Sequence, residues 1–289
     1  MGYARPELLV ETDWLAEHLG DPDIRVYDCT THLIPDPEKV FMVKSGLADY
    51  EAGHIPGAGY LDLQADLSDP TGKFRFTTPD ADAFANVLGA KGLSDGCRVV
   101  LYSTAAVSWA TRIWWMLHAF GVGNITILNG GWQKWQTEGR PVSTEPCQYP
   151  AGGLAARRQP DLIVGKDAVL AALADDDAMV VNALTRPQHD GTSKAHYGRP
   201  GGITGSVCLP ALDLLADDNT FLDAGRLRDK FSEAGIGMGQ RVVTYCGGGV
   251  AATVDSFALT LLGHNDVGIY DNSLSEWAND PALPMEVKQ

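Results

Sequence analysis

The chain has 289 residues, long for one domain and comfortable for two of ordinary size. Hydrophobic residues make up 45% and charged residues 20%, enough to bury a full core, which excludes a disordered or fibrous chain. Lys and Arg number 22 against 37 Asp and Glu, a net charge of −15; such a surface repels phosphate backbones and anionic lipid, so no nucleic acid and no membrane is expected as a partner.

The opening stretch, MGYARPELLVETDW, has neither the apolar core of a signal peptide nor an Arg- and Ser-rich amphipathic pattern, and a cytoplasmic protein is expected. IRVYDC then reads as a strand ending at Cys29, a minor candidate for a resolving thiol. His54 in GHIPGA reads as a structural histidine that ties its loop to the backbone. RVVLY from Arg98 is a short β-branched run ending in a turn signal, as buried parallel strands do. A helix follows with Trp109, Ile113, Leu117 and Phe120 on one face, ended by Gly121. It carries Arg112 and His118 and is too short to span a bilayer. ITIL is the next strand, and Trp114, Trp115, Trp132 and Trp135 are spaced for core packing.

The second half repeats this plan. RVVTY from Arg241, a helix with Val254, Ala258, Leu261 and Leu262 on one face, Gly263 and VGIY follow in the same order. The offset between the copies is 143 positions at Arg98 and Arg241 and 142 at Trp135 and Trp277. Each copy predicts a right-handed strand–helix–strand unit and so an α/β domain. The linker falls in EGRPVSTEPCQYPAGGLAARRQP, where Pro and Gly concentrate. The expected division is a first domain over 1–145, a linker over 146–160 and a second domain over 161–289.

The chemistry concentrates in YCGGGVAAT, residues 245–253. Gly247-x-Gly249-x-x-Ala252 fits a dinucleotide fingerprint, with Asp271 at the end of the next strand. Three things count against that reading: the motif lies near the C-terminus, the first copy has STAAVSW there, and a dinucleotide site has no use for the cysteine. The other reading makes Cys246 a nucleophile. It stands between a strand end and a helix N-terminus, where successive amides and the helix dipole favour a thiolate. A buried structural cysteine remains the plain alternative. A cysteine phosphatase would need an arginine six positions on, where the chain has Ala252. The five cysteines, Cys29, Cys97, Cys147, Cys208 and Cys246, form no C-x-x-C pair, so reduced thiols are expected and no zinc site. The acidic runs at Asp175–Asp177 and Asp217–Asp218 read as loop charges.

Taken in order, GHIPGA, RIWWMLHAFGVGNITILNGGWQKWQTEGRPV, YCGGGVAA and IYDNSLSEW resemble the tandem-domain rhodanese family, the thiosulfate and 3-mercaptopyruvate sulfurtransferases. The resemblance covers nearly the whole chain. It implies two rhodanese-like domains, each a mostly parallel sheet with helices on both faces, and catalysis by the second only. Cys246 would carry sulfane sulfur as a persulfide from a small anionic donor to a thiol or cyanide acceptor, with no cofactor. The amides of Gly247, Gly248, Gly249, Val250 and Ala251 would stabilise the sulfur anion. Ser103 stands at the Cys246 position of the first copy and cannot carry sulfane sulfur, so that domain would wall the cleft.

Arg186 in VVNALTRPQHDG matches the family's strand-end arginine, and Arg199 and Lys194 lie where mercaptopyruvate enzymes keep a second one. These three are the candidate donor-binding residues. The chain also departs from the family: the loop lacks both the basic residues of thiosulfate enzymes and the serine of mercaptopyruvate enzymes, which is Gly248 here. Asn182 replaces the usual aspartate, Gly202 replaces the histidine of the second GHIPG, and SDPTGKFRFTTP contains no histidine. Loop shape leans toward mercaptopyruvate as donor. A non-catalytic sulfur carrier or interaction module on the same scaffold is the alternative from another class.

Overall fold

The computed structural model of the chain describes residues 2–36 and 40–288. The first half contains β1 (Leu9–Val10), α1 (Thr12–His18), β2 (Ile24–Asp28), β3 (Thr31–Asp36), β4 (Val40–Ser45), α2 (Leu47–Ala52) and β5 (Gly59–Tyr60). It continues with α3 (Ala81–Ala90), β6 (Arg98–Tyr102), α4 (Ser108–Ala119), β7 (Ile125–Leu128) and α5 (Gly131–Thr137). The second half contains β8 (Ile163–Val164), α6 (Lys166–Leu173), β9 (Ala178–Asn182), α7 (Arg186–His189), β10 (Gly202–Ile203) and β11 (Val207–Cys208). After α8 (Ala224–Glu233) come β12 (Arg241–Tyr245), α9 (Ala252–Leu261), β13 (Val267–Tyr270), α10 (Ser273–Trp277) and β14 (Met285–Glu286).

Five strands make each main sheet. Their orders are β1-β7-β6-β2-β5 and β8-β13-β12-β9-β11, and every pairing within them is parallel. Equivalent strands therefore hold equivalent places, which is the repeat seen in the sequence. The β-branched runs at β6 and β12 occupy the centre of each sheet, where both faces are covered. Among the described residues β3 and β4 pair only with each other, as an antiparallel ribbon outside the first sheet. The sequence pattern gave no warning of it. Among the described residues no helix is long and apolar enough to cross a membrane.

The two helices read as amphipathic are buried on every side. In α9 all ten residues are buried, and in α4 only Ser108 and His118 are not. The reason is their position: α4 and α9 pack on each other between the two domains as well as on their own sheets. Thr111 and Thr253 share a hydrogen bond across that contact at 2.7 Å, and Trp114 meets Phe257 edge-on at 4.9 Å. An apolar stripe reports the face toward the sheet, whereas Thr111, Arg112 and Thr253 on these helices bond across to the other domain.

Arg112 shows what that costs and how it is offset. Its side chain is fully buried, and its guanidinium reaches Asp271 Oδ1 at 2.6 Å, Phe76 O at 2.7 Å, Thr78 Oγ1 at 3.2 Å and Gly249 O at 3.2 Å. Asp271 also accepts from the Thr78 N–H at 2.9 Å and the Thr78 hydroxyl at 3.1 Å. A charge taken out of water persists only with this density of partners. At the matching place in the second copy stands Asp255, fully buried, with neither carboxyl oxygen partnered among the described residues. Burial, with Asp213 nearby, pushes its pKa well above the carboxylate range, so it is a neutral acid.

The segment predicted as linker has almost no regular structure, but it is strapped to the first domain. Tyr149 packs edge-on against Tyr27 at 5.5 Å, and the amides of Arg157 and Gln159 reach the carbonyls of Phe120 and Ala119 at 2.7 Å each. His54 behaves as expected, with Nδ1 at 2.7 Å from Tyr50 O and Nε2 at 3.0 Å from Glu145 O.

Arg112→Met leaves Asp271 without its countercharge and is expected to lower unfolding free energy by about 3–5 kcal/mol in urea titration, with part of the loss recovered by adding Asp271→Asn. Asp255→Asn tests the neutral acid. The native state holds a proton there that the unfolded chain releases above about pH 4, so this carboxyl subtracts from stability as pH rises. The Asn variant's advantage over the parent should therefore grow from pH 4 to pH 7 and vanish below pH 4, as read by thermal midpoints.

Candidate active site

Cys246 follows the last residue of β12 and is 2% exposed. The chain then curls through three glycines and enters α9 at Ala252. Gly249 takes φ +72°, and a Cβ there would lie 2.3 Å from Asp271 O, so only glycine fits this point. The curl is wound around Ser273. Its hydroxyl oxygen accepts from the N–H of Cys246 at 3.0 Å and of Gly249 at 3.2 Å, and its O–H donates to Tyr270 O at 2.8 Å. Ser275 holds the other side, with its N–H and its O–H both on Gly247 O at 2.8 Å.

Ser273 keeps a left-handed backbone, φ +47°, where the first copy has Gly131 at +52°. A serine there is strained, and the two amides it satisfies offset the strain. With Gly249 and Cys246 bonded to Ser273, the amides of Gly247, Gly248, Val250 and Ala251 have no partner among the described residues. The five-residue amide set expected from the sequence is thus four. Those four N–H groups and the start of α9 give the loop donors for an anion.

Cys246 opens on a cleft of about 640 Å³ between the domains. One wall is the glycine loop with Leu184 and Tyr197; the other comes from the first domain, through the β3–β4 ribbon, residues 73–76 and the start of α4. The first copy therefore does wall the cleft. Its Ser103 is buried and accepts from the Ala105 N–H at 3.0 Å.

The three candidate donor-binding residues lie outside this cleft. Arg186 begins α7, exposed, and Lys194 is exposed in the following loop; neither lines the cleft. Arg199 does not line it either. Its guanidinium caps the end of α10, on Trp277 O at 3.0 Å, Ala278 O at 3.1 Å and Asp280 O at 2.6 Å. The basic residues that do line it are Lys73, Arg75 and His32, all from the first domain. Lys73 lies 5.2 Å from the Phe74 ring, and Arg75 donates to Phe41 O on β4, bracing the ribbon. The alternation Lys-Phe-Arg-Phe at 73–76, two cations in an acidic chain, is the signal in the sequence that points to them.

The departures from the family pattern have a structural answer in part. Where the second GHIPG would bring a histidine, Gly202 makes room for His189 from α7: a Cβ on Gly202 would lie 2.6 Å from His189 Nδ1. Asn182 meets that same nitrogen at 3.1 Å. Burial holds His189 below the usual histidine pKa, so it is neutral. Asp271, which a dinucleotide site would offer to a ribose, is spent on Arg112 and Thr78. Cys29 is fully buried, and burial raises its thiol pKa well above the usual value, which removes it as a resolving thiol. Cys208 is pushed up to about 11 in the same way.

A family model for the rhodanese-like domain matches residues 11–138 and again 170–280. Thiosulfate/3-mercaptopyruvate sulfurtransferase 2 of Arabidopsis thaliana is 30% identical over 96% of this chain and 86% of its own. The sulfur carrier protein TtuD of Thermus thermophilus is 32% identical over 99% and 98%. The crystal structure of SseA, a 3-mercaptopyruvate sulfotransferase of Escherichia coli, superposes with a TM-score of 0.80 at 29% identity, over 93% of this chain and 99% of that one. The chain belongs to the rhodanese-like family, with two such domains in tandem. Within it, this protein is an enzyme of the sulfurtransferase class.

Ser273→Ala removes the acceptor for two buried amides and leaves a non-glycine residue in the left-handed region. Chemical denaturation should show a loss of about 2 kcal/mol, and the variant's sulfur transfer should fall while its far-ultraviolet circular dichroism stays unchanged.

Proposed function

We propose that Cys246 takes sulfane sulfur from a small anionic donor, holds it as a persulfide and delivers it to a thiol or to cyanide. With thiosulfate, the thiolate attacks the outer sulfur, the S–S bond breaks and its electron pair leaves with sulfite. With 3-mercaptopyruvate, the C–S bond breaks, the pair stays on carbon as an enolate, and one proton is taken up as pyruvate forms. In the second half-reaction the acceptor attacks the outer sulfur and the Cys246 thiolate leaves, which restores the enzyme. The observation that carries this reading is the placement of Cys246 between a strand end and a helix start, facing a cleft, with four unclaimed amides in its loop. Amides fixed before reaction stabilise an anion without having to reorganise.

Lys73 and Arg75 are the groups for the donor's anionic end. Both line the cleft, and the remaining lining is largely apolar, from Phe41, Phe74, Phe76 and Trp109 to Leu184. Both residues are exposed, so their pull on an anion acts from the cleft mouth and is partly screened by solvent. All five cysteines are unpaired, which suits a reducing compartment such as the cytoplasm. A carrier loaded by another protein is the second reading; the relative from Thermus thermophilus is named a sulfur carrier protein.

The deciding measurement is the intact mass of the protein after brief exposure to thiosulfate or to 3-mercaptopyruvate. A gain of one sulfur atom, absent in Cys246→Ser, is expected. No gain with either donor would replace this reading with the carrier. Lys73→Ala and Arg75→Ala should each raise donor KM about tenfold, and the difference from the parent should shrink as salt is added.

A further inference from the structure

The chain has nine tyrosines, and for eight of them the hydroxyl meets a protein partner. The ninth is Tyr197, half-buried in the cleft wall beside Cys246, whose hydroxyl has no partner among the described residues. Buried phenols nearly always find one, so a free hydroxyl in a cleft is available to whatever binds there.

Its place is closely defined. A Cβ on Gly247 would lie 1.9 Å from Tyr197 Cζ and 2.2 Å from its hydroxyl oxygen, so the phenol occupies the space that a side chain next to the nucleophile would need. The Tyr197 backbone is held by Asn279, whose Nδ2 donates to Tyr197 O at 2.8 Å, and its ring meets Phe41 of the ribbon at 6.2 Å. Burial first, and then the charge of Cys246, raise its pKa, so Tyr197 keeps its proton and can only be a donor toward an anion.

The other hydroxyls at the loop are already engaged. Ser273 donates to Tyr270 O, Ser275 to Gly247 O and Thr253 to Val250 O. Residues 247–251 themselves carry no polar side chain.

We propose that Tyr197 is a further catalytic residue, its O–H donating a hydrogen bond to the sulfur anion at Cys246, first the thiolate and then the outer sulfur of the persulfide. The assignment rests on the persulfide reading above. The proton stays on Tyr197 throughout; the bond stabilises charge and transfers nothing. Tyr197 would supply from outside the loop the side-chain donor that the loop lacks, in addition to its amides.

Tyr197→Phe keeps the ring against Gly247 and deletes only the O–H. The single-turnover rate of persulfide formation at saturating donor, followed by intact mass, should fall about tenfold, the size of one hydrogen bond to a charged group. Donor KM and the thermal midpoint should not change, whereas a residue with a packing role alone would move the midpoint and leave the rate at saturation. An unchanged rate in Tyr197→Phe, with the parent loading normally, overturns the proposal. Failure of the parent itself to load overturns the persulfide reading instead, so the two failures are told apart by the parent protein.

Discussion

One guanidinium connects the two halves beside the Cys246 loop. Arg112 enters from a helix of the first domain, pairs with Asp271 of the second and holds the carbonyl of Gly249 in the Cys246 loop. It also reaches Phe76 O, at the end of the segment that brings Lys73 and Arg75 into the cleft. Loop shape and cation placement are thus anchored by the same side chain. Moving one domain against the other would disturb both at once, and the buried charge resists that motion because any lost partner leaves it uncompensated.

Around this anchor the loop is built with its polar groups sorted. Some amides are tied down, to Ser273, so that the curl has one shape; others are left free, so that the shape has a use. A strained serine at +47° does the tying, and the first copy, with a glycine at the same place, has no cysteine for such a hydroxyl to support. The two copies kept the same backbone path and diverged in what they ask of it.

Much of this was legible in the residues. The repeat of RVVLY and RVVTY with their helices predicted two α/β units, and the sheets have matching strand orders. The cysteine at a strand end before a helix was readable because local position alone creates that environment. Three things were not readable, each for a physical reason. The family pattern points to cations on the second domain, yet the basic groups lining the cleft come from the first, across a contact that no local pattern encodes. The role of Ser273 depends on a left-handed backbone that is fixed by its neighbours. Tyr197 reads as an ordinary loop aromatic until Gly247 is seen pressed against it.

The burial of α4 and α9 on all sides bears on what kind of object each repeat now is. Two domains with equal folds invite the view of two modules that could be exchanged, duplicated again or expressed alone. Yet pulling them apart would bare a helix whose ten residues are all buried in the pair on one side and an arginine with no countercharge on the other. The repeat survives in the chain as ancestry, but as matter it has fused: the smallest unit that can exist in water is the pair.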